Sequence, residues 1–237
     1  MGPARRGRPV WPSCVAGAIL TNKLSPINST SFIPSNAGAG PDCSRWEEEF
    51  SRRPCRAEPC RARPLRRHFT TARRSGGAWT ARLGVNGLKD RRREGDGTTP
   101  TGVYSIGPVM YGSAPNPGVR YRYRKVACGD WWVEDPASTA YNSFQHVPCG
   151  RRPPFRTNHP GMWQDPVAYR HLAVIEFNMR PVVAGRGSGI FLHVSKGRPT
   201  AGCISLPASQ LIATLRWLRP GKRPLIAIGT RETFRRV

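Results

Sequence analysis

Residues 189–207 place a strand, a turn and a cysteine in one short stretch, and this order constrains the chain more than any other feature. Ile190, Phe191, Leu192 and Val194 are apolar and β-prone, and Gly187 and Gly189 mark where the strand begins. His193 falls near its end. Lys196, Gly197, Arg198 and Pro199 then carry turn chemistry, because glycine tolerates positive φ and proline presets its own. A tight reversal there would return Cys203 to the side of His193, ten positions upstream. A thiol and an imidazole delivered to one point are the minimum for a cysteine nucleophile with its general base. Gly202 leaves the backbone beside the thiol open, as a site needs if amides must approach a developing oxyanion. Cys203 also reads as opening a helix, where the dipole would lower a thiol pKa. For either residue alone the structural alternative is plain: a small buried hydrophobe, or a histidine hydrogen-bonded at a strand end.

Taken together these residues resemble the YkuD-type L,D-transpeptidase catalytic domain. His193 followed by Thr200-Ala201-Gly202-Cys203-Ile204-Ser205 is similar to that family's strand-borne His, short loop and Ser/Thr-x-Gly-Cys-Ile/Val. Upstream, Gly87-Leu88-Lys89-Asp90 and the run from Arg93 to Tyr104 resemble a charged loop leading into Thr-Pro-x-Gly and a strand. Asp130-Trp131-Trp132-Val133-Glu134-Asp135 and Tyr141-Asn142 resemble a segment of actinobacterial members, and the likeness spans about residues 78–230.

The resemblance implies a mainly β, sandwich-like catalytic fold and action on peptidoglycan stem peptides in the cell wall. Cys203 would attack the carbonyl of the third stem residue and expel D-alanine, with His193 as its base. The backbone carbonyl of Val194 or Ser195 would orient His193, and the amides of Gly202 and Cys203 would hold the oxyanion. Thr200, Ser205 and Tyr141 are candidate substrate contacts. An acceptor amine would complete a 3→3 cross-link, whereas water would make the protein a carboxypeptidase. No cofactor or metal is required, and carbapenem-type β-lactams are implied as covalent inhibitors. The family is exported, and in an exported chain Cys128 and Cys149 would pair as a disulfide, leaving Cys203 free. This chain departs from the usual pattern in Val194 after the His, a nine-residue gap to Cys203, Ala201 before Gly202, and Ser205 where an Arg is common.

Composition fits this reading without deciding it. The formal charge of +24 raises nucleic acid or an anionic surface as a partner. The basic residues are almost all arginine, accompanied by 24 Pro and 25 Gly, a bias that GC-rich coding also produces. No nucleic-acid partner is therefore expected. No apolar run reaches the length of a transmembrane helix, and residues 10–20 make a poor signal peptide. Residues 1–77 show no trusted periodicity and read as disordered or as a mis-assigned start. Cys43, Cys55, Cys60 and His68 lack paired zinc-ligand spacing.

Beyond them a catalytic domain is expected at residues 78–230, with 231–237 as a tail. Strands are predicted at residues 79–83, 103–106, 126–133, 172–177 and 225–228, with one amphipathic helix at 207–218. The charged cluster from Asp90 to Asp96 reads as a turn network rather than a substrate rim. Glu134 and Asp135 are adjacent on a strand, so they point to opposite faces and read as structural. His159 reads as a surface residue. Tyr121 and Tyr123, alternating with arginines, read as an exposed strand edge. The rivals are a sortase-like transpeptidase using Arg216 or Arg219, whose His would lie far upstream of its Cys, and a papain-like enzyme with Cys before His. The non-enzymatic rival is a basic cell-wall-binding protein with an inert thiol.

Overall fold

The computed structural model describes residues 16–21, 70–74, 77–157 and 159–230. The fold is mainly β with one α-helix near its C-terminus, as the sequence implies. The principal strands are β1 (Ala16–Thr21), β2 (Thr70–Arg74), β3 (Gly77–Ala81), β6 (Gly102–Gly112), β10 (Leu172–Ile175), β11 (Phe191–Val194), β12 (Ile204–Leu206) and β13 (Leu225–Thr230). With β7 (Arg122–Lys125) on β6 they form a nine-stranded sheet in the order β12-β11-β10-β6-β13-β1-β2-β3. Two short pairs lie apart from it: β4 (Leu88–Lys89) with β5 (Thr99–Pro100), and β8 (Asp130–Trp132) with β9 (Phe144–His146).

The sheet path closes on itself. Arg82, one residue beyond β3, donates to the Ser205 carbonyl at 2.9 Å and accepts from the Ser205 amide at 3.0 Å. Two edges that would otherwise present unpaired backbone groups thus satisfy each other. Inside this curve lie Leu83, Ile106, Met110, Leu192, Ile204 and Ile226. Helix α1 (Ala208–Trp217) closes the core with Leu211 and Leu215, four residues apart and so on one face. The other face of β10 and β11 carries Leu172, Val174 and Phe191, packed against Tyr111, Val126 and Met162. Burial on both faces explains why these strands read as near-continuous apolar runs rather than alternating ones.

Several boundaries differ from the sequence expectation. The strand expected at 103–106 runs on to Gly112 in spite of Pro108. Pairing of β6 with β10 slips between Met110 and Ile106, and this irregularity accommodates a proline that cannot join a regular ladder. The strand expected from Val126 begins only at Asp130. Before it the chain turns, with the Asp130 carboxylate accepting from the Ala127 amide at 3.0 Å. Gly129 has φ +90, and a Cβ there would lie 2.0 Å from the Val147 carbonyl oxygen. Within residues 1–77, where no regular structure is expected, β1 and β2 are strands of the sheet. The zinc candidates Cys43, Cys55, Cys60 and His68 lie outside the described residues, as does most of the candidate signal segment.

Cys128 and Cys149 form a disulfide that ties down the β8–β9 pair. Asp130, fully buried at the start of β8, pairs with Arg124 at 2.7 Å and with His146 at 2.8 Å. Tyr121 is buried and the Tyr123 hydroxyl donates to the Ala114 carbonyl at 2.9 Å, so both rings turn inward while Arg122 and Arg124 face out. Among the described residues no helix is long and apolar enough to cross a membrane.

Candidate active site

The expected reversal between His193 and Cys203 is not a hairpin. Strands β11 and β12 pair in parallel, with Leu192 opposite Ile204, His193 opposite Ser205 and Val194 opposite Leu206. Two turns, at Gly197 (φ +77) and Gly202 (φ +150), carry the chain out and back to the start of β11. Between them Thr200 is held by the backbone of the segment after β3: its amide donates to Leu83 at 2.8 Å and its carbonyl accepts from Val85 at 2.8 Å. Parallel register places Cys203 level with Phe191. The two-residue period of a strand then puts Phe191, His193, Cys203 and Ser205 on one face. The helix begins at Ala208, beyond β12, so Cys203 opens a strand and lies outside the reach of the helix dipole.

The thiol is consequently neutral. Burial pushes Cys203 up to about 12; the Phe191 amide and Arg92 pull the other way and are outweighed. Its sulfur donates to the Gly189 carbonyl at 3.2 Å and accepts from the Phe191 amide at 3.4 Å. The Gly189 amide is anchored in turn on the Asn142 side-chain oxygen at 3.1 Å. Asn142 also holds the Trp132 indole at 3.0 Å, so the Tyr141-Asn142 segment is scaffolding for the thiol.

His193 is 8% exposed. Its Nδ1 lies 2.8 Å from the Val194 carbonyl oxygen, which can only accept, so Nδ1 carries the hydrogen. Of the two carbonyls that the resemblance leaves open, it is that of Val194 which holds the ring. Burial lowers the imidazole pKa; Val194 and Asp165 oppose this, and Lys196 adds to it. Tyr169 packs edge-on against both His193 and Phe191, with centroids 5.8 Å apart in each case.

His193 and Cys203 line one cavity of about 510 Å³, together with Thr200, Ser205, Asp165 and Tyr169. The Thr200 hydroxyl donates to the Cys203 carbonyl at 2.6 Å and accepts from the Gly202 amide at 3.2 Å. Of the two expected oxyanion donors, the Gly202 amide is therefore already engaged. Tyr141 lines neither this cavity nor its neighbour; its buried hydroxyl donates to Glu94.

A second cavity, of about 170 Å³, meets the first at Cys203 and is lined by Arg92, Glu94, Glu134, His159 and Ser188. Sequence reasoning missed this cluster. The loop from Asp90 to Asp96 is a turn network as expected, with Asp96 accepting from the Arg93 and Thr98 amides. Arg92 and Glu94 nonetheless leave it for the cavity. Asp135 is structural, accepting from the Ala137 and Arg156 amides, whereas its neighbour Glu134 points into the cavity. Burial and the nearby Glu94 push Glu134 up to about 7 against the pull of Arg92. His159 is not merely a surface residue: half-exposed, it pairs with Glu134 at 3.1 Å. The one sequence signal for this convergence is the spacing of Arg92 and Glu94 ahead of Gly95 and Gly97, which marks a tight loop without saying what it faces. Among the described residues no group of three or more His, Cys, Asp or Glu could hold a metal ion.

Fold and site define a mainly β domain that presents a thiol and an imidazole to a common cavity. The family model of the YkuD L,D-transpeptidase catalytic domain matches residues 65–226, a span that contains both groups, and the chain belongs to this family. Members are acyltransferases that act on peptidoglycan peptides. No curated protein matches the chain, and no solved structure does.

Proposed function

We propose that this protein is an L,D-transpeptidase that uses Cys203 as nucleophile on the tetrapeptide stems of peptidoglycan, in the extracytoplasmic cell wall. The observation that carries the reading is the parallel register of β11 and β12, which aims Cys203 and His193 from one face into one cavity. With Nδ1 committed to Val194, Nε2 is the nitrogen left to serve as base.

With the thiol pKa raised and the imidazole pKa lowered, proton transfer accompanies attack. Cys203 Sγ bonds to the carbonyl carbon of the third stem residue as its proton passes to His193. The Cys203 amide is the first donor to the tetrahedral oxyanion, a contribution of about 3–4 kcal/mol to the transition state. The carbon–nitrogen bond to D-alanine then breaks, and the leaving amine takes the proton from His193. An amine of a neighbouring stem next attacks the thioester, losing a proton to His193, and the carbon–sulfur bond breaks to restore the thiol. Water in place of that amine gives a tripeptide. A carbapenem-type β-lactam would acylate the same sulfur. The Cys128–Cys149 disulfide supports an oxidising compartment.

The test incubates the full chain and Cys203→Ala with disaccharide-tetrapeptide and reads protein and muropeptides by mass spectrometry. An acyl adduct and loss of D-alanine are expected for the wild type alone, with a cross-linked dimer as product. A folded wild type that forms no adduct and releases no D-alanine would leave the inert wall-binding reading in its place.

A further inference from the structure

The Arg92 side chain is 2% exposed, yet its Nε and Nη1 have no hydrogen-bond partner. Its one ion pair among the described residues is with Asp96, at 3.7 Å from Nε and beyond hydrogen-bond reach. Phe177 lies beneath the guanidinium at 5.8 Å. Leaving a buried cation with unsatisfied donors is costly, so such a group implies a ligand that completes it. The two cavity carboxylates do not do so. Glu94 is taken up by the hydroxyls of Tyr141 and Ser188, and Glu134 by His159.

The guanidinium also lies beside the reacting atoms. A Cβ on Gly202, the residue before Cys203, would sit 3.0 Å from Arg92 Nη1. Gly202 thus leaves room for Arg92, and for the Thr98 carbonyl 2.9 Å from the same point, where a side chain would intrude. Arg92, Gly202 and Cys203 all line the smaller cavity.

We propose that Arg92 is the carboxylate-binding residue of the donor site and recognises the free C-terminal carboxylate of the residue expelled from the stem. This rests on Cys203 as the nucleophile. In a donor whose leaving group is a single amino acid, three bonds separate the scissile carbonyl carbon from the carboxylate carbon, a span of roughly 4 Å. A cation that reads this carboxylate must therefore border the nucleophile, as Arg92 does. A planar guanidinium held without a hydrogen-bond partner beside the nucleophile suits a carboxylate, which it can meet through Nη2 together with Nε or with Nη1. A donor extended by another residue would place an amide there, leave Arg92 unpaired and be selected against.

The test compares two donors on the full chain: the tetrapeptide stem ending in D-alanine, and the same stem ending in D-alaninamide. The expected kcat/KM ratio favours the free acid by about 10- to 100-fold, the range of a charge-assisted hydrogen bond. Arg92→Gln should bring the ratio close to one, and Arg92→Lys should retain part of it. Equal use of both donors by the wild type, or an Arg92→Gln variant slower on both with its ratio intact, would reduce Arg92 to a structural role. If Arg92→Gln does not fold, as judged by its melting transition, the wild-type ratio and the Lys variant still decide. Turnover of neither donor by the wild type would refute the transpeptidase reading itself, and this inference with it.

Discussion

His193 Nδ1 lies 2.8 Å from the carbonyl oxygen of Val194, the next residue in the same strand. An imidazole oriented by a backbone carbonyl needs no acidic third partner hydrogen-bonded to it. The Asp165–Lys196 pair, closed at 2.8 Å, is the nearest ionic influence, and its two charges act on His193 in opposite directions.

Removing the imidazole should therefore leave binding and remove proton transfer. His193→Ala is expected to slow single-turnover acylation of Cys203 by about 10²- to 10⁴-fold while the donor still protects the protein against thermal unfolding. Acylation at the wild-type rate would show that the thiol has another base.

Thiol reactivity should follow the raised pKa. For a sulfur pushed up to about 12, iodoacetamide labelling at Cys203 should be slow at neutral pH and climb roughly tenfold per pH unit up to the alkaline limit of the fold. Peptide mapping isolates Cys203 from the cysteines outside the described residues. A rate that levels off below pH 8.5 would mean a thiolate stabilised in the free protein, as the misplaced helix dipole led the sequence reading to expect.

Carboxylates with depressed pKa set the acid limit of stability, the fully buried Asp130 and the partly exposed Asp96 among them. Burial alone would raise the pKa of Asp130, but Arg124, the Ala127 amide and His146 outweigh it and hold the carboxyl below its ordinary range. For Asp96, burial is likewise overcome by the Thr98 hydroxyl, the Arg93 and Thr98 amides and Lys89. A depressed folded pKa contributes stability that is present above about pH 4 and is lost as pH falls through the folded value. Melting temperature should accordingly drop steeply below pH 4. Asp130→Asn should cost about 1–3 kcal/mol at pH 7 and flatten that acid slope, and an unchanged slope would exclude Asp130 as a contributor.

The disulfide should matter to stability more than to chemistry. It closes a separation of 21 residues, for which chain entropy predicts about 3 kcal/mol. The double variant Cys128→Ser/Cys149→Ser should lose several degrees of melting temperature and keep its acylation rate at 25 °C within about tenfold. A folded double variant that cannot be acylated would place the β8–β9 pair in the catalytic machinery.

The sequence made the chemistry of β11 and of the Cys203 loop legible, because strand formers and turn residues are local signals. It also showed the α1 helix, whose Leu211 and Leu215 repeat at helical spacing. What it could not show was direction. Glycine and proline between His193 and Cys203 announce a change of course but do not distinguish one turn from two, and two turns made the strands parallel. The cluster of Arg92, Glu94 and Glu134 was hidden for a related reason. Arg92 and Glu94 come from one loop and Glu134 from another, and only the folded sheet brings them to one sulfur. Glu134 illustrates the limit: β8 ends at Trp132, so Glu134 and Asp135 lie beyond the strand on which alternation was expected to orient them, and which of the two met the cavity was a tertiary fact.

The paired backbone bonds between Arg82 and Ser205 give the thiol an unusual dependence on the rest of the molecule. Ser205 follows Cys203 by two residues, so the place where the sheet fastens shut is also the mount on which the nucleophile stands. Loosening that fastening would release the aim of the sulfur at the same moment as the edge of the sheet.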